Sequence, residues 1–245
     1  MMKVPSVMPY AKSIQAIIFD MDDTMVPTMK THFKAWTDLC LKHSPKNIGL
    51  DYKVGISAEN LATVENAYNG CTSEEFVNIL FGNMPKEKVQ ALANEREDLF
   101  IKQADDLTEI KGLTQFLEAL SDIKRGIASS TSRPGIEHVL NKLNIAKFFK
   151  PENIIDPSKV SRGKPYPDPY LMAAKALDVS PENCLVFEDS RGGIKSAQSA
   201  GMRIIGVATS ISKPDLMKLG VSRAIKDYTE IKSLDELNEL FKVFA

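Results

Sequence analysis

The sequence predicts an α/β fold, a doubly wound parallel sheet with an all-α domain inserted after its first strand. Three observations carry that prediction. Short apolar runs end abruptly in polar or acidic clusters, at Asp20-Met21-Asp22-Asp23, at Ser129-Ser130 and at Glu188-Asp189. From Lys111 onward such runs alternate with helical patterns, and the alternation implies parallel strands joined by crossover helices. Between Thr28 and Ala104 the apolar spacing is helical and no strand signal interrupts it. The expected organisation is a core formed by 1–27 and 106–245 and a helical cap formed by 28–105.

Taken in order, Ala16 to Phe19 is a short apolar run of the kind buried in a parallel sheet. Thr28 to His43 sets Phe33, Trp36, Leu39, Cys40 and His43 at helical intervals, with Thr28 able to cap the start. Loop signals fill 47–55, and helices are expected near Ser57–Tyr68, Ser73–Phe81 and Lys86–Ala104. The last has Val89, Leu92, Ala93, Leu99 and Phe100 on an inner face. The core then resumes with a helix over Lys111–Ser121, a strand over Arg125–Ser129, a helix over Gly135–Leu143 and a short strand over Asn153–Ile155. A proline-rich loop from Gly163 to Pro169 opens a helix over Tyr170–Leu177. A strand over Cys184–Phe187, a helix over Gly192–Ala200 and a strand over Met202–Val207 follow. In such sheets ligands sit beyond the carboxyl ends of the strands, which is where the polar clusters fall.

Composition narrows the function classes. The 245 residues are 43% hydrophobic and 26% charged with a net charge of −1, so no global field attracts nucleic acid or an anionic membrane. Cys40, Cys71 and Cys184 are odd in number and widely separated, which fits reduced thiols in a cytoplasmic protein and no zinc pattern. The first twelve residues do not read as a secretory signal, and no stretch reaches the roughly 20 apolar residues of a membrane span. The expected partner is a small molecule, with no obligate protein partner.

Asp20, Asp22 and Asp23 crowd the end of a buried strand, where carboxylates repel and resist desolvation unless a cation sits among them. Asp20 and Asp22 are two apart, so in extended backbone both point the same way. One can attack while the other handles a proton. An Asp-rich turn is the plainer alternative for this stretch alone. Ser129 ends a second strand, with the Ser130 and Thr131 amides following. Lys164 is held between Gly163 and Pro165, and Glu188 and Asp189 end another strand. Phosphoryl transfer needs a nucleophile, a metal, a cation on the phosphate and an acid for the leaving oxygen, and this set supplies each. Singly, Ser129 could be a strand-end hydroxyl, Lys164 a solvated lysine and Glu188-Asp189 a helix cap.

Four motifs occur in order: Asp20-Met21-Asp22-Asp23-Thr24, Ser129 in Ile127-Ala128-Ser129-Ser130, Lys164 in Gly163-Lys164-Pro165-Tyr166-Pro167-Asp168, and Phe187-Glu188-Asp189-Ser190-Arg191-Gly192-Gly193-Ile194. In these the chain, from about Ile14 to Val207, resembles the haloacid dehalogenase superfamily, in the branch holding β-phosphoglucomutase and small sugar-phosphate phosphatases. The resemblance implies a Rossmann-like core and a cap that closes over substrate. It implies Asp20 as nucleophile, forming an aspartyl phosphate, and Asp22 as general acid and then base. Mg²⁺ would be held by the Asp20 side chain, the Asp22 backbone carbonyl and Asp189, with Glu188 a ligand or its neighbour. Ser129, Ser130 and Lys164 would bind the phosphoryl group. His32, Gly70 and Arg133 would face substrate, although His32 could lie on the surface and Arg133 could pair with Glu137. Trp36 reads as cap core.

Two departures bear on function. Asp23 stands where relatives commonly have glycine, and it either tunes Asp22 or stabilises a turn. Beyond Gly70, where mutases of the branch carry an arginine for a second phosphate, this chain has Ser73-Glu74-Glu75. Arg96 could compensate, though arginines on such a helix mostly face water. The expectation is a Mg²⁺-dependent phosphatase of a small phosphorylated metabolite, a sugar phosphate. The alternatives are a hexose-phosphate mutase and a non-catalytic phosphometabolite sensor, for which a nucleophile would be superfluous.

Overall fold

The computed structural model describes residues 14–43, 72–120 and 123–242. Within them an α/β core is built on β1 (Ala16–Phe19), β2 (Lys124–Ala128), β3 (Ile154–Ile155), β4 (Cys184–Glu188), β5 (Arg203–Val207) and β6 (Arg223–Ile225). The six strands form one sheet in the order β3-β2-β1-β4-β5-β6, every pair parallel. β1 is central and aligns Phe19 with Ile127 on one side and Phe187 on the other.

Alternation along β1 separates two apolar layers. Ile17 and Phe19 face a cluster with Leu185, Phe187 and Ile205, covered by α4 (Leu113–Ala119), α5 (Arg133–Lys142) and α9 (Leu234–Lys242). Ala16 and Ile18 face the other, with Val186 and Ile204, covered by α6 (Asp168–Leu177), α7 (Arg191–Ser199) and α8 (Lys213–Lys218). Helices on both faces make the sheet doubly wound, as expected. Cys40 and Cys184 are buried free thiols, and burial pushes them up to about 11 and about 12. Among the described residues no helix is long and apolar enough to cross a membrane.

The insert after β1 contains α1 (Met29–His43), α2 (Ser73–Phe81) and α3 (Lys86–Gln103). The helix expected near Ser57–Tyr68 and the third cysteine, Cys71, lie outside the described residues. The insert has its own apolar cluster, in which Phe33, Trp36 and Leu39 meet Phe76, Leu80 and Val89. It does not stand apart from the sheet, because Ala35 of α1 and Phe100 of α3 belong to the core cluster. Glu97 of α3 crosses closely over Gly135 of α5, where a β-carbon would fall 2.3 Å from Glu97 Oε1.

Three elements, α8, β6 and α9, follow the last strand expected from the sequence. β6 is a three-residue edge strand, too short to show a period. The ring of Phe19 stacks on Phe187 at 5.2 Å and meets Phe116 and Phe149 edge-on at 6.3 and 6.0 Å, directly beneath Asp20. Phe19→Ala should therefore cost about 3–5 kcal/mol in urea denaturation. A loss below about 1 kcal/mol would show that the central strand is not packed this way.

Candidate active site

The site forms where β1, β2 and β4 end. Asp20 is the residue after β1, and its amide continues the ladder to the Phe187 carbonyl at 3.0 Å. Ser129 does the same after β2, donating to the Ile155 carbonyl at 3.0 Å. Parallel pairing in register thus brings Asp20, Ser129 and Glu188-Asp189 to one edge of the sheet. Lys164 reaches them from the loop before α6, which Ser196 of α7 anchors by donating to the Tyr166 carbonyl at 2.5 Å.

Lys164 is buried, and its Nζ donates to Asp20 Oδ1 at 2.6 Å and to Glu188 Oε1 at 2.7 Å. Oxygens of Asp20, Glu188 and Asp189 lie within 4.8 Å of one another, an all-oxygen set that could hold a hard divalent cation. Burial pushes Asp20 up to about 8, with Glu188 and Asp22 adding to it and Lys164 opposing. Asp189 is raised well above the carboxylate range by burial and by Glu188, Asp20 and Asp23. Burial acts against the charge of Lys164, but Asp20 and Glu188 outweigh it and hold its proton tightly. The acids outnumber the lysine, and a bound divalent cation would neutralise the set.

Asp22 sits in different chemistry. Its Oδ1 accepts from Thr28 Oγ1 at 2.6 Å and contacts His32 Nε2 at 2.8 Å. Its Oδ2 accepts from Ser129 Oγ at 3.1 Å and Thr131 Oγ1 at 2.8 Å. Burial opposes its charge, but His32, Thr28 and Thr131 prevail and hold it well below the usual carboxylate range. Both of its oxygens are thus engaged by side chains just after β2 and at the start of α1.

His32 is buried rather than on the surface, stacked on Phe100 with ring centroids 4.0 Å apart. Arg96 Nη2 lies against its Nδ1. A guanidinium can only donate, so Arg96 is the donor in that contact. Arg96 departs from the expectation of a solvated arginine: it is 1% exposed, and its guanidinium lies 5.0 Å from the Trp36 centroid and 5.5 Å from that of Phe100. Its planar, weakly hydrated charge suits an aromatic sleeve. Trp36 is buried in the cap cluster, as its spacing suggested.

Asp23 adopts φ 55°, the left-handed region that glycine or Asp occupies readily. Its carboxylate accepts from the Met29 amide at the start of α1 and from Ser210 Oγ, each at 3.2 Å. It closes the turn between β1 and the insert, and burial raises its pKa. Arg133 donates to Glu137 at 2.6 Å and to the Ile154 and Pro151 carbonyls at 3.1 and 2.9 Å, so its guanidinium braces the start of α5. Ser130 is exposed and faces a cleft of about 410 Å³ between insert and core, lined also by Ser73, Glu74, Gln90, Asn94 and Ser132. Gly70 lies outside the described residues.

Thr72 caps α2 and Glu75 returns the bond to the Thr72 amide at 2.7 Å, so one of the two acids after Ser73 serves the helix start. Sequence reasoning missed Thr131, Thr24 and Tyr170. Thr24 donates to Asp189 Oδ1 at 3.0 Å and Tyr170 to Glu188 Oε1 at 3.0 Å. Position beside a motif was the only signal available for each.

The profile of haloacid dehalogenase-like hydrolases matches residues 17–207. The beta-phosphoglucomutase of Bacillus subtilis is 30% identical over 203 residues, covering 79% of this chain and 83% of that protein. A phosphorylated carbohydrates phosphatase of Thermotoga maritima is 27% identical, covering 91% of this chain and all of that one. The crystal structure of a HAD hydrolase, family IA, variant 3, from Entamoeba histolytica superimposes with a TM-score of 0.80 at 28% identity, covering 94% of this chain and 100% of that one. With the sheet order, the inserted helices and the acids at the strand ends already in place, the chain belongs to the haloacid dehalogenase-like hydrolases, related to beta-phosphoglucomutase and the sugar-phosphate phosphatases.

Proposed function

We propose that the protein is a Mg²⁺-dependent phosphatase of a small sugar monophosphate, working through a phosphorylated Asp20. The observation that carries this reading is the buried contact of Lys164 with Asp20, set beside an Asp22 whose carboxylate meets Thr28, His32, Ser129 and Thr131. In the first half, an Asp20 oxygen attacks phosphorus, the bond to the sugar oxygen breaks, and Asp22 gives that oxygen its proton. In the second, Asp22 takes a proton from water, the oxygen of which attacks phosphorus and releases Asp20 and inorganic phosphate. The proton that Asp22 takes from water in the second half is the one it gives to the next leaving group, so the residue returns to its starting form in each cycle.

Ser129, Ser130 and Lys164 would receive the phosphoryl oxygens. Mg²⁺ would be held by Asp20 and Asp189, with Glu188 beside them and the Asp22 backbone carbonyl as a further ligand. When bound it neutralises the charge gathering on the phosphoryl group. The cap would exclude water and select the leaving group.

Hydrolysis is supported over mutase chemistry by the residues beyond Gly70, Ser73-Glu74-Glu75, where the mutases of the branch carry an arginine. Among the described residues the guanidinium of Arg133 is engaged with Glu137 and two carbonyls. A neutral hydroxyl gives a distal phosphate only about half the strength of a charge-assisted bond. The similarity to a beta-phosphoglucomutase at 30% identity supports the mutase as second reading. The sensor reading has no use for a nucleophile.

Two measurements test the proposal. Excess chelator should bring turnover to background and added Mg²⁺ should restore it, whereas full turnover in chelator would contradict the metal assignment. In phosphorus NMR with glucose 1-phosphate and a bisphosphate primer, inorganic phosphate should form faster than glucose 6-phosphate. Ser73→Arg should tighten bisphosphate binding more than monophosphate binding. Faster formation of glucose 6-phosphate by the wild type would replace the phosphatase reading with the mutase one.

A further inference from the structure

Tyr170 is the third residue of α6 and is wholly buried. A buried phenol needs a hydrogen-bond partner, and its hydroxyl donates to Glu188 Oε1 at 3.0 Å. The same oxygen accepts from Lys164 Nζ at 2.7 Å, and that ammonium stands 5.0 Å from the centroid of the Tyr170 ring. One side chain therefore touches both charged residues, Glu188 with its hydroxyl and Lys164 with its face.

The rest of Glu188 is held without freedom to adjust. Oε2 accepts from the Asp189 amide at 2.9 Å, the Ser190 amide at 2.8 Å and Ser190 Oγ at 3.0 Å. On the side of α7 the carboxylate fills the space above Gly193, where a β-carbon would lie 1.4 Å from Oε1. Lys164 is then shared between two acids, Asp20 at 2.6 Å and Glu188 at 2.7 Å. The phenol hydroxyl takes part of the accepting capacity of Oε1. Without it, Glu188 would compete harder for the ammonium, which Asp20 and an arriving phosphoryl group also need.

We propose that Tyr170 is a positioning residue of this active site: its hydroxyl shares Glu188 Oε1 with Lys164 and so keeps the ammonium on Asp20. The inference rests on the phosphatase reading, and its test separates the two. Tyr170→Phe keeps the ring and removes only the hydroxyl. It should lower kcat/KM for para-nitrophenyl phosphate about tenfold, in the range seen for groups that orient active-site ligands. It should weaken binding of inorganic phosphate to the Mg²⁺-loaded protein several-fold by calorimetry, with the thermal midpoint nearly unchanged. In a Glu188→Gln background the same change should have less than about a twofold effect, because the two residues act as one unit.

Equal losses in both backgrounds, or a lowered thermal midpoint with phosphate affinity intact, would make Tyr170 a packing residue and overturn the inference. If Glu188→Gln does not fold or is too slow to assay, the phosphate affinity of Tyr170→Phe against wild type decides alone. A wild type that hydrolyses and binds phosphate, with Tyr170→Phe equal to it, overturns the inference and leaves the phosphatase reading standing. A wild type that binds phosphate without turnover overturns the reading alone. A wild type that does neither overturns both.

Discussion

The ammonium of Lys164, buried between Asp20 and Glu188, is the interaction on which the site depends. Three carboxylates, Asp20, Glu188 and Asp189, converge at the strand ends with one lysine among them. Fully ionised, that set carries two uncompensated negative charges in a buried place, which is costly. Burial, with Glu188 and Asp22 adding to it, pushes Asp20 up to about 8. A divalent cation bound there would offset that charge and favour the ionised Asp20 that the proposed attack needs. The same electrostatic deficit that makes the cluster expensive to fold makes it receptive to a divalent ion.

The insert completes what the sheet begins. Asp22 meets Thr28 and His32 at the start of α1. His32 is in turn fixed by Arg96 from α3 and stacked on Phe100. Asp22 is thus held from the insert as well as from the strand ends. Asp23 ties the crossing point down, with its left-handed backbone and its bonds to Met29 and Ser210. Both contacts favour the turn-forming role for its acidic side chain.

Much of this was legible in the sequence for one reason. A buried strand that ends in charge leaves a sharp boundary, and each such boundary fell within one or two residues of its place, as at Asp20, Ser129 and Glu188. Helices with a clear inner face, such as Ser73–Phe81, were equally readable. What could not be read was partnership across the fold. Arg96 looks like any helix arginine until α1 brings His32 and Trp36 over it. Thr131 and Tyr170 are ordinary residues whose hydroxyls matter only because of what faces them. β6 escaped because three residues carry no period, and it is a strand only by pairing with β5.

The central claim is that Asp20 carries the phosphoryl group. The direct measurement is to quench the enzyme during turnover of a sugar monophosphate, reduce it with borohydride and sequence the peptides by mass spectrometry. An acyl phosphate at Asp20 is reduced to homoserine at that position, and the same treatment of Asp20→Asn should give none. Homoserine at position 20 in the wild type alone is the predicted result. Turnover with no reducible acyl phosphate at Asp20, or turnover retained by Asp20→Asn, would contradict the account.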